Sequence, residues 1–270
     1  MKTICIVFFC LMNISLYAKP NVTYYQEYEA LGFALYADNH EICPVYVQFD
    51  FTLRNLRVEN KSKAYFVIPP KSVRFKITNL LVVSPLEDFS FTYIANTNFG
   101  NPEDSDYDGV FQYYLPFKKG EAYKVKQGYE GAFSHLDTYA IDFDMPEGTE
   151  IYAARGGMVV NVEQSHEKSC KTEACAKDNN FILIYHNDGT FAEYSHIKHN
   201  GSLVKKGDMV KIGQAIGYSG NVGWSDGPHL HFEVYLPKPF QKERLKTNFL
   251  TGDGSDYSIL AEYMQYTRDY

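Results

Sequence analysis

The stretch Gly227-Pro228-His229-Leu230-His231-Phe232-Glu233-Val234-Tyr235 reads as a β-strand with two chemically different faces. Successive side chains of a strand point to opposite sides, so His229, His231 and Glu233 share one face and Leu230, Phe232 and Val234 the other. The apolar trio calls for a core behind it. The opposite face then carries two imidazoles side by side, and imidazole is a common neutral zinc ligand. His-x-His is a weak signal alone; its plain alternative is a pair of half-exposed strand histidines.

The surrounding sequence has the same texture. Phe181-Ile182-Leu183-Ile184-Tyr185 and Phe191-Ala192-Glu193-Tyr194 flank His186-Asn187-Asp188-Gly189-Thr190, and Asp-Gly between two apolar runs is a hairpin signal. Leu203 to Ile216 gives short strands broken by Lys206-Gly207-Asp208 and Ile212-Gly213-Gln214. A compact antiparallel β domain is expected over residues 119–240, with a polar, Tyr-rich tail over 241–270. Two further segments extend the histidine face. Ser134-His135 precedes Ala140-Ile141-Asp142-Phe143, and one more imidazole with one carboxylate would complete a three-ligand catalytic site that keeps its fourth position for water. Glu193-Tyr194-Ser195-His196 ends the hairpin. A histidine near a metal-bound water can move protons without being a ligand.

Taken in order, these blocks resemble the lysostaphin/LytM-type zinc metalloendopeptidases that cut peptidoglycan cross-links. The resemblance runs from about Gln127 to Tyr235. It rests on Gly128-Tyr129-Glu130-Gly131-Ala132-Phe133-Ser134-His135, Ala140-Ile141-Asp142-Phe143, Met145-Pro146-Glu147-Gly148-Thr149 and Tyr194-Ser195-His196. Val204-Lys205-Lys206-Gly207-Asp208, Ile216-Gly217-Tyr218-Ser219-Gly220-Asn221 and Gly227-Pro228-His229-Leu230-His231-Phe232-Glu233 complete it. The resemblance implies one zinc ion held by His135, Asp142 and His231, with His196 and His229 as the catalytic pair beside it. It also implies a peptidoglycan peptide as substrate. One departure stands out: many family members place the first His four residues before the Asp, whereas His135 and Asp142 are seven apart. Asp137 is nearer in sequence and Asp144 shares a strand face with Asp142, so both are alternative carboxylates. Alignment on the Pro146-Glu147-Gly148-Thr149 turn favours Asp142. Glu233 could orient His231 from behind, or be an ordinary exposed strand carboxylate, the reading preferred from sequence. His40, His166, His186 and His199 carry no motif and are taken as surface or structural.

The first half is different in kind. Val45, Val47, Phe49, Phe51 and Leu53 alternate with Tyr46, Gln48, Asp50 and Thr52, the mark of a half-buried strand. Val73, Phe75 and Ile77 repeat the pattern, and so does Phe89-Ser90-Phe91-Thr92-Tyr93. Pro69-Pro70 and the Asn96–Tyr107 stretch punctuate these strands. Residues 19–118 are therefore expected to form a β-sandwich-like, immunoglobulin-type accessory domain, with a core built partly by Val47, Phe49, Phe51, Phe75 and Ile77. No chemical constellation occurs in it. The whole chain is expected to be mostly β, which its 23 Tyr and 19 Phe favour.

Length and charge bound the remaining classes. With 270 residues the chain exceeds one average domain, and 45% hydrophobic and 22% charged residues are ordinary globular proportions. A net charge of −7 without a Lys/Arg run argues against nucleic acid and against an anionic membrane surface as partners. At the N-terminus Lys2 precedes an apolar run from Ile4 to Leu16, followed by the small residue Ala18. Residues 1–18 read as a secretory signal peptide, the run being short against the roughly 20 residues of a membrane span. No later segment is long and apolar enough to span, so an exported protein is expected, periplasmic or extracellular and cell-wall associated. Export leaves Cys43, Cys170 and Cys175, and the close pair Cys170 and Cys175 is expected to form a disulfide. The oligomeric state is not encoded in any of these patterns.

Two other functions fit parts of the sequence. A non-catalytic LytM-like wall-binding regulator would lack one or more of the five site residues, and all five are present. A secreted protease for glycine-rich proteins would carry the same set, so only a substrate panel separates it. A purely structural zinc site would be closed by four protein ligands.

Overall fold

The alternation read from Val45 to Leu53 forms a strand, Val45–Arg54, at the centre of a three-stranded sheet between Phe66–Ile68 and Ser90–Phe99. The computed structural model of the chain describes residues 19–29, 31–59, 63–239 and 241–270. The leader expected over 1–18 lies outside the described residues. No helix among them is long and apolar enough to cross a membrane.

The chain divides into two units between Asn101 and Pro102. In the first, a four-stranded sheet in the order Val22–Glu29, Gly32–Asn39, Phe75–Val82, Leu56–Val58 complements the three-stranded one. All its pairings are antiparallel. Leu35, Ala37 and Ile77 from one sheet meet Val45, Val47, Phe66 and Ile68 from the other in a single buried cluster, so the unit is a sandwich. Val47 and Ile77 are buried, while Phe49, Phe51 and Phe75 are half-buried at its margin. Val73 departs from the expected alternation: it is 77% exposed. Arg74 adopts a left-handed φ of 53° and breaks the extended backbone just before the strand starts at Phe75.

The second unit begins at Pro102, earlier than the boundary at 119 read from sequence. Tyr113, Leu115 and Phe117, alternating with Gln112, Tyr114 and Pro116, are buried in its core. The tail is also part of it. Gln241–Arg244 pairs with Leu230–Lys238, and Gln265–Thr267 pairs with Ala122–Gln127. The main sheet runs in the order Met209–Val210, Gly157–Glu163, Phe181–Tyr185, Phe191–Ser195, Leu230–Lys238, Ala140–Phe143, Ala122–Gln127, Gln265–Thr267. The expected hairpin is there, with Phe181 opposite Ser195 and Tyr185 opposite Phe191. Ile141, Phe143, Tyr194, Leu230, Phe232 and Val234 point to one side and build the core with Ile182, Ile184 and Phe249. Each fully buried side chain of this size contributes about 1.5–3 kcal/mol of apolar transfer free energy. That side of the sheet anchors the strands and leaves the other side free for polar groups.

A smaller sheet, Glu150–Tyr152, Ala215–Ser219 and Ile197–Ser202, carries the segment that follows His196. Cys170 and Cys175 form the expected disulfide, with Cα atoms 5.8 Å apart. Ser169–Cys170 pairs with Gly223–Trp224, so the bridged turn is tied to the chain just before His229.

Candidate metal centre

Strand register sets the site. Asp142 lies directly opposite His231, His231 opposite Ser195, and Asp142 opposite Gln127. Four adjacent strands thus place one polar row across the sheet, on the face away from Phe143, Tyr194 and Phe232. His135 reaches the row from an irregular segment, and His196 and His229 from strand ends. All five residues singled out from sequence come together here. Asp137 and Asp144 are exposed and lie outside the cluster, so the carboxylate of the row is Asp142.

Asp142 Oδ1 is the hub. His231 Nδ1 lies 2.9 Å from it, His135 Nε2 3.4 Å and His229 Nε2 3.8 Å. One ligand atom each from His135, Asp142 and His231 falls within 4.8 Å of the others. Three of the imidazoles are fixed as one tautomer by a carbonyl oxygen, which only accepts hydrogen bonds. His135 Nδ1 donates to Gly128 O at 2.9 Å, His196 Nδ1 to Val222 O at 2.7 Å and His229 Nδ1 to Gly227 O at 2.8 Å. Their Nε2 atoms therefore carry lone pairs when the rings are neutral.

The donor set fits a cation. His135 Nε2 is buried without a hydrogen-bond partner, and its lone pair faces carboxylate oxygen. Two acceptors at this distance are unfavourable unless a positive charge lies with them. Two nitrogens and one oxygen are the ligand types of three-ligand zinc sites.

The charges agree with this geometry. Burial would raise the Asp142 carboxyl, but contacts with His135 and His231 and the charge of the neighbouring imidazoles hold it well below the usual carboxylate range. Burial would lower His231, yet Asp142 and Glu233 bring it up to about 10. Burial, followed by repulsion from His229 and His231, pushes His196 down to about 3. His229 is also lowered, by burial against the attraction of Asp142. At neutral pH His196 and His229 are therefore uncharged bases.

Several supporting residues were not legible in the sequence. Gln127 Oε1 accepts the backbone N–H of Phe133 and Ser134 at 3.0 and 2.9 Å, while its Nε2 donates to Asp142 Oδ2 at 3.1 Å. It joins the His135 segment to the carboxylate. No local pattern marks it; only pairing with a strand fifteen positions on gives it that place. Gly131 is required beside it, because a Cβ there would stand 2.5 Å from Gln127 Cγ. Gly220 has the same function between the two histidine segments: its Cβ would lie 2.7 Å from His196 O. Asn179, at the end of the bridged turn, accepts the His196 backbone N–H at 3.2 Å and donates to Ser195 Oγ at 3.0 Å. Ser225 Oγ lies 3.3 Å from His229 Nδ1, and its backbone N–H donates to Cys170 O at 3.1 Å. The disulfide turn thereby steadies both histidines.

Glu233 is a correction. It is 3% exposed, not an exposed strand carboxylate. The returning strand Gln241–Arg244 lays Lys242 and Arg244 against it, and Lys242 also reaches Glu193 at 2.6 Å. Burial is tolerated because both cations pair with it. Glu233 Oε2 lies 3.9 Å from His231 Nε2, on the side of the ring away from Asp142. His186, taken as surface or structural, is fully buried, with Nδ1 donating to Gly156 O at 2.9 Å.

Residues 123–244 match the sequence model of peptidase family M23, a span that contains His135, Asp142, His196, His229 and His231. The match lies entirely within the second unit. An uncharacterized metalloprotease of Buchnera aphidicola subsp. Baizongia pistaciae is 42% identical over 108 residues, which is 40% of this chain and 26% of that protein. Peptidoglycan DD-endopeptidase ShyA of Vibrio cholerae is 39% identical over 95 residues, 35% of this chain and 19% of that protein. Lysostaphin of Staphylococcus staphylolyticus is 36% identical over 125 residues, 45% of this chain and 23% of that protein. The chain thus spans about a quarter or less of the length of these relatives. The matched segment contains the three residues whose ligand atoms meet at Asp142.

Proposed function

We propose that this chain is an exported zinc metalloendopeptidase that hydrolyses peptide bonds in peptidoglycan stem peptides or cross-bridges. The observation that carries the reading is the meeting of His135, Asp142 and His231 within 4.8 Å, beside two neutral histidines, inside the M23 segment. His135 through Nε2, Asp142 through Oδ1 and His231 through Nδ1 are the ligands. When bound, zinc supplies an electrophilic centre that acidifies water and polarises a carbonyl. His229 and His196, their rings 4.5 Å apart, take the water proton at Nε2 and return it to the leaving amine. Their depressed proton affinity keeps both in the accepting form at neutral pH. Glu233 and Asp142 flank His231 on opposite sides and orient the ring. The relatives named for peptidoglycan support the substrate class, and the leader-like residues 1–18 support export.

Purified peptidoglycan incubated with the zinc-loaded chain, followed by mass spectrometry of the soluble products, tests this. New fragments that differ by hydrolysis of one peptide bond are expected. An unchanged digest with folded, zinc-loaded chain would reject the wall endopeptidase.

A further inference from the structure

Residues 245–270 lie beyond the stretch matched to the family, yet they grip the turn that orients His135. Thr247 is 4% exposed. Its Oγ1 shares a 2.6 Å hydrogen bond with Tyr129 Oη, and its backbone N–H donates to the same oxygen at 3.0 Å. Lys246 Nζ lies 3.6 Å from Glu130 Oε2 and 4.6 Å from the centre of the Tyr139 ring. Glu262 Oε2 accepts the Gly128 N–H at 3.4 Å. Gly128 and Glu262 are so close that a Cβ on the glycine would stand 3.3 Å from Glu262 Cβ. Beside them, Tyr263 N–H donates to Val125 O at 2.8 Å and Val125 N–H to Met264 O at 2.9 Å.

Two of these contacts, from Glu262 and Thr247, flank one peptide, whose carbonyl also accepts the Gly131 N–H at 3.2 Å. Gly128 O is the acceptor for His135 Nδ1, so it decides which nitrogen of that ring is bare and where it points. A carbonyl can aim an imidazole only as firmly as its own peptide is held. Residues 128–138 contain no strand or helix to hold it. Glu262 holds the peptide on its N-terminal side and Thr247, through Tyr129, on its C-terminal side.

We propose that the C-terminal segment is a working part of the metal centre, with Thr247 as the positioning residue that fixes the Gly128 carbonyl and, through it, His135. The segment supplies no ligand. It keeps Nε2 of His135 aimed at Asp142 Oδ1 before any cation arrives. This inference rests on the reading of His135 as a ligand. Its test therefore measures binding rather than hydrolysis.

The full chain and its Thr247→Val, Thr247→Ser and Glu262→Gln variants are titrated with zinc against a chromophoric chelator. Thermal midpoints of the metal-free proteins are recorded in parallel. Thr247→Val is expected to weaken zinc binding about tenfold, the lower end for loss of an outer partner of a ligand, with the metal-free midpoint little changed. Thr247→Ser should restore wild-type affinity, and Glu262→Gln should fall between. Wild-type affinity in Thr247→Val overturns the proposal, and so does equal weakness in Thr247→Ser. A loss of affinity that only follows the metal-free midpoint overturns it as well, since that is a structural role alone. A wild-type chain that takes up no zinc removes the ligand reading itself, an outcome distinct from the other three.

Discussion

The two units bury polar groups for different ends. In the first, Asn39, Glu41 and Thr78 are buried, and Asn39 shows their use. Its side-chain nitrogen donates to the carbonyls of Cys43, Ile68 and Pro69, and its oxygen accepts the Glu41 N–H. Donors meet acceptors, and the result is a fixed turn. In the second, His135, Asp142, His196 and His229 are buried around a single carboxylate oxygen, two of them presenting bare nitrogens to it. Acceptors meet acceptors. A sheet bears that arrangement only where the apolar face behind it is strong enough, and it marks the place where something positive is to be received. The same β architecture thus closes its polar groups on one another at the Asn39 turn and leaves them open toward a cation at the Asp142 row.

If the apolar face of the second unit carries that load, its core should be the less forgiving. Phe232 is 1% exposed and packs against Tyr113, Tyr194 and Phe249. Phe232→Ala should cost about 3–5 kcal/mol. Phe49→Ala, removing a half-buried ring of the first unit, should cost about 1–2 kcal/mol. Hydrogen exchange of core amides in the full chain, followed unit by unit, measures both. Equal costs would break the contrast.

Acid sharpens the comparison at a smaller scale. His186 is held neutral by burial, its pKa depressed to about 4 against about 6.5 for an unfolded chain. Between these values the unfolded chain binds the extra proton, so the stability contributed by neutral His186 is complete above pH 6.5 and is lost as pH falls toward 4. From pH 7 to pH 5 the metal-free second unit should lose about 2 kcal/mol through this group. His186→Gln should remove that part of the pH slope. Identical slopes in urea titrations of wild type and variant would contradict the assignment.

What could be read in advance follows a physical division. Period-two alternation reports which face of a strand is buried, so Val45–Leu53, the Phe181–Tyr194 hairpin and Leu230–Val234 were legible. The five residues that meet at the Asp142 row were legible because each stands in its own local motif. Gln127, Asn179 and Thr247 were not, since their roles come from pairings with distant segments. Glu233 was misread for the same reason: the cations that permit its burial arrive on a returning strand with no apolar pattern. Arg74 hid the true start of its strand, because one left-handed residue leaves the composition unchanged.

The central claim assigns two histidines of one strand end to different tasks, His231 to holding the metal and His229 to moving protons. Zinc content by elemental analysis, set beside peptidoglycan hydrolysis rates for wild type, His229→Ala and His231→Ala, tests it most directly. His231→Ala should lose both zinc and activity. His229→Ala should keep close to one zinc per chain while turnover falls about 10²–10⁴-fold. A His229→Ala chain that sheds zinc, with a His231→Ala chain that retains it, would contradict the assignment.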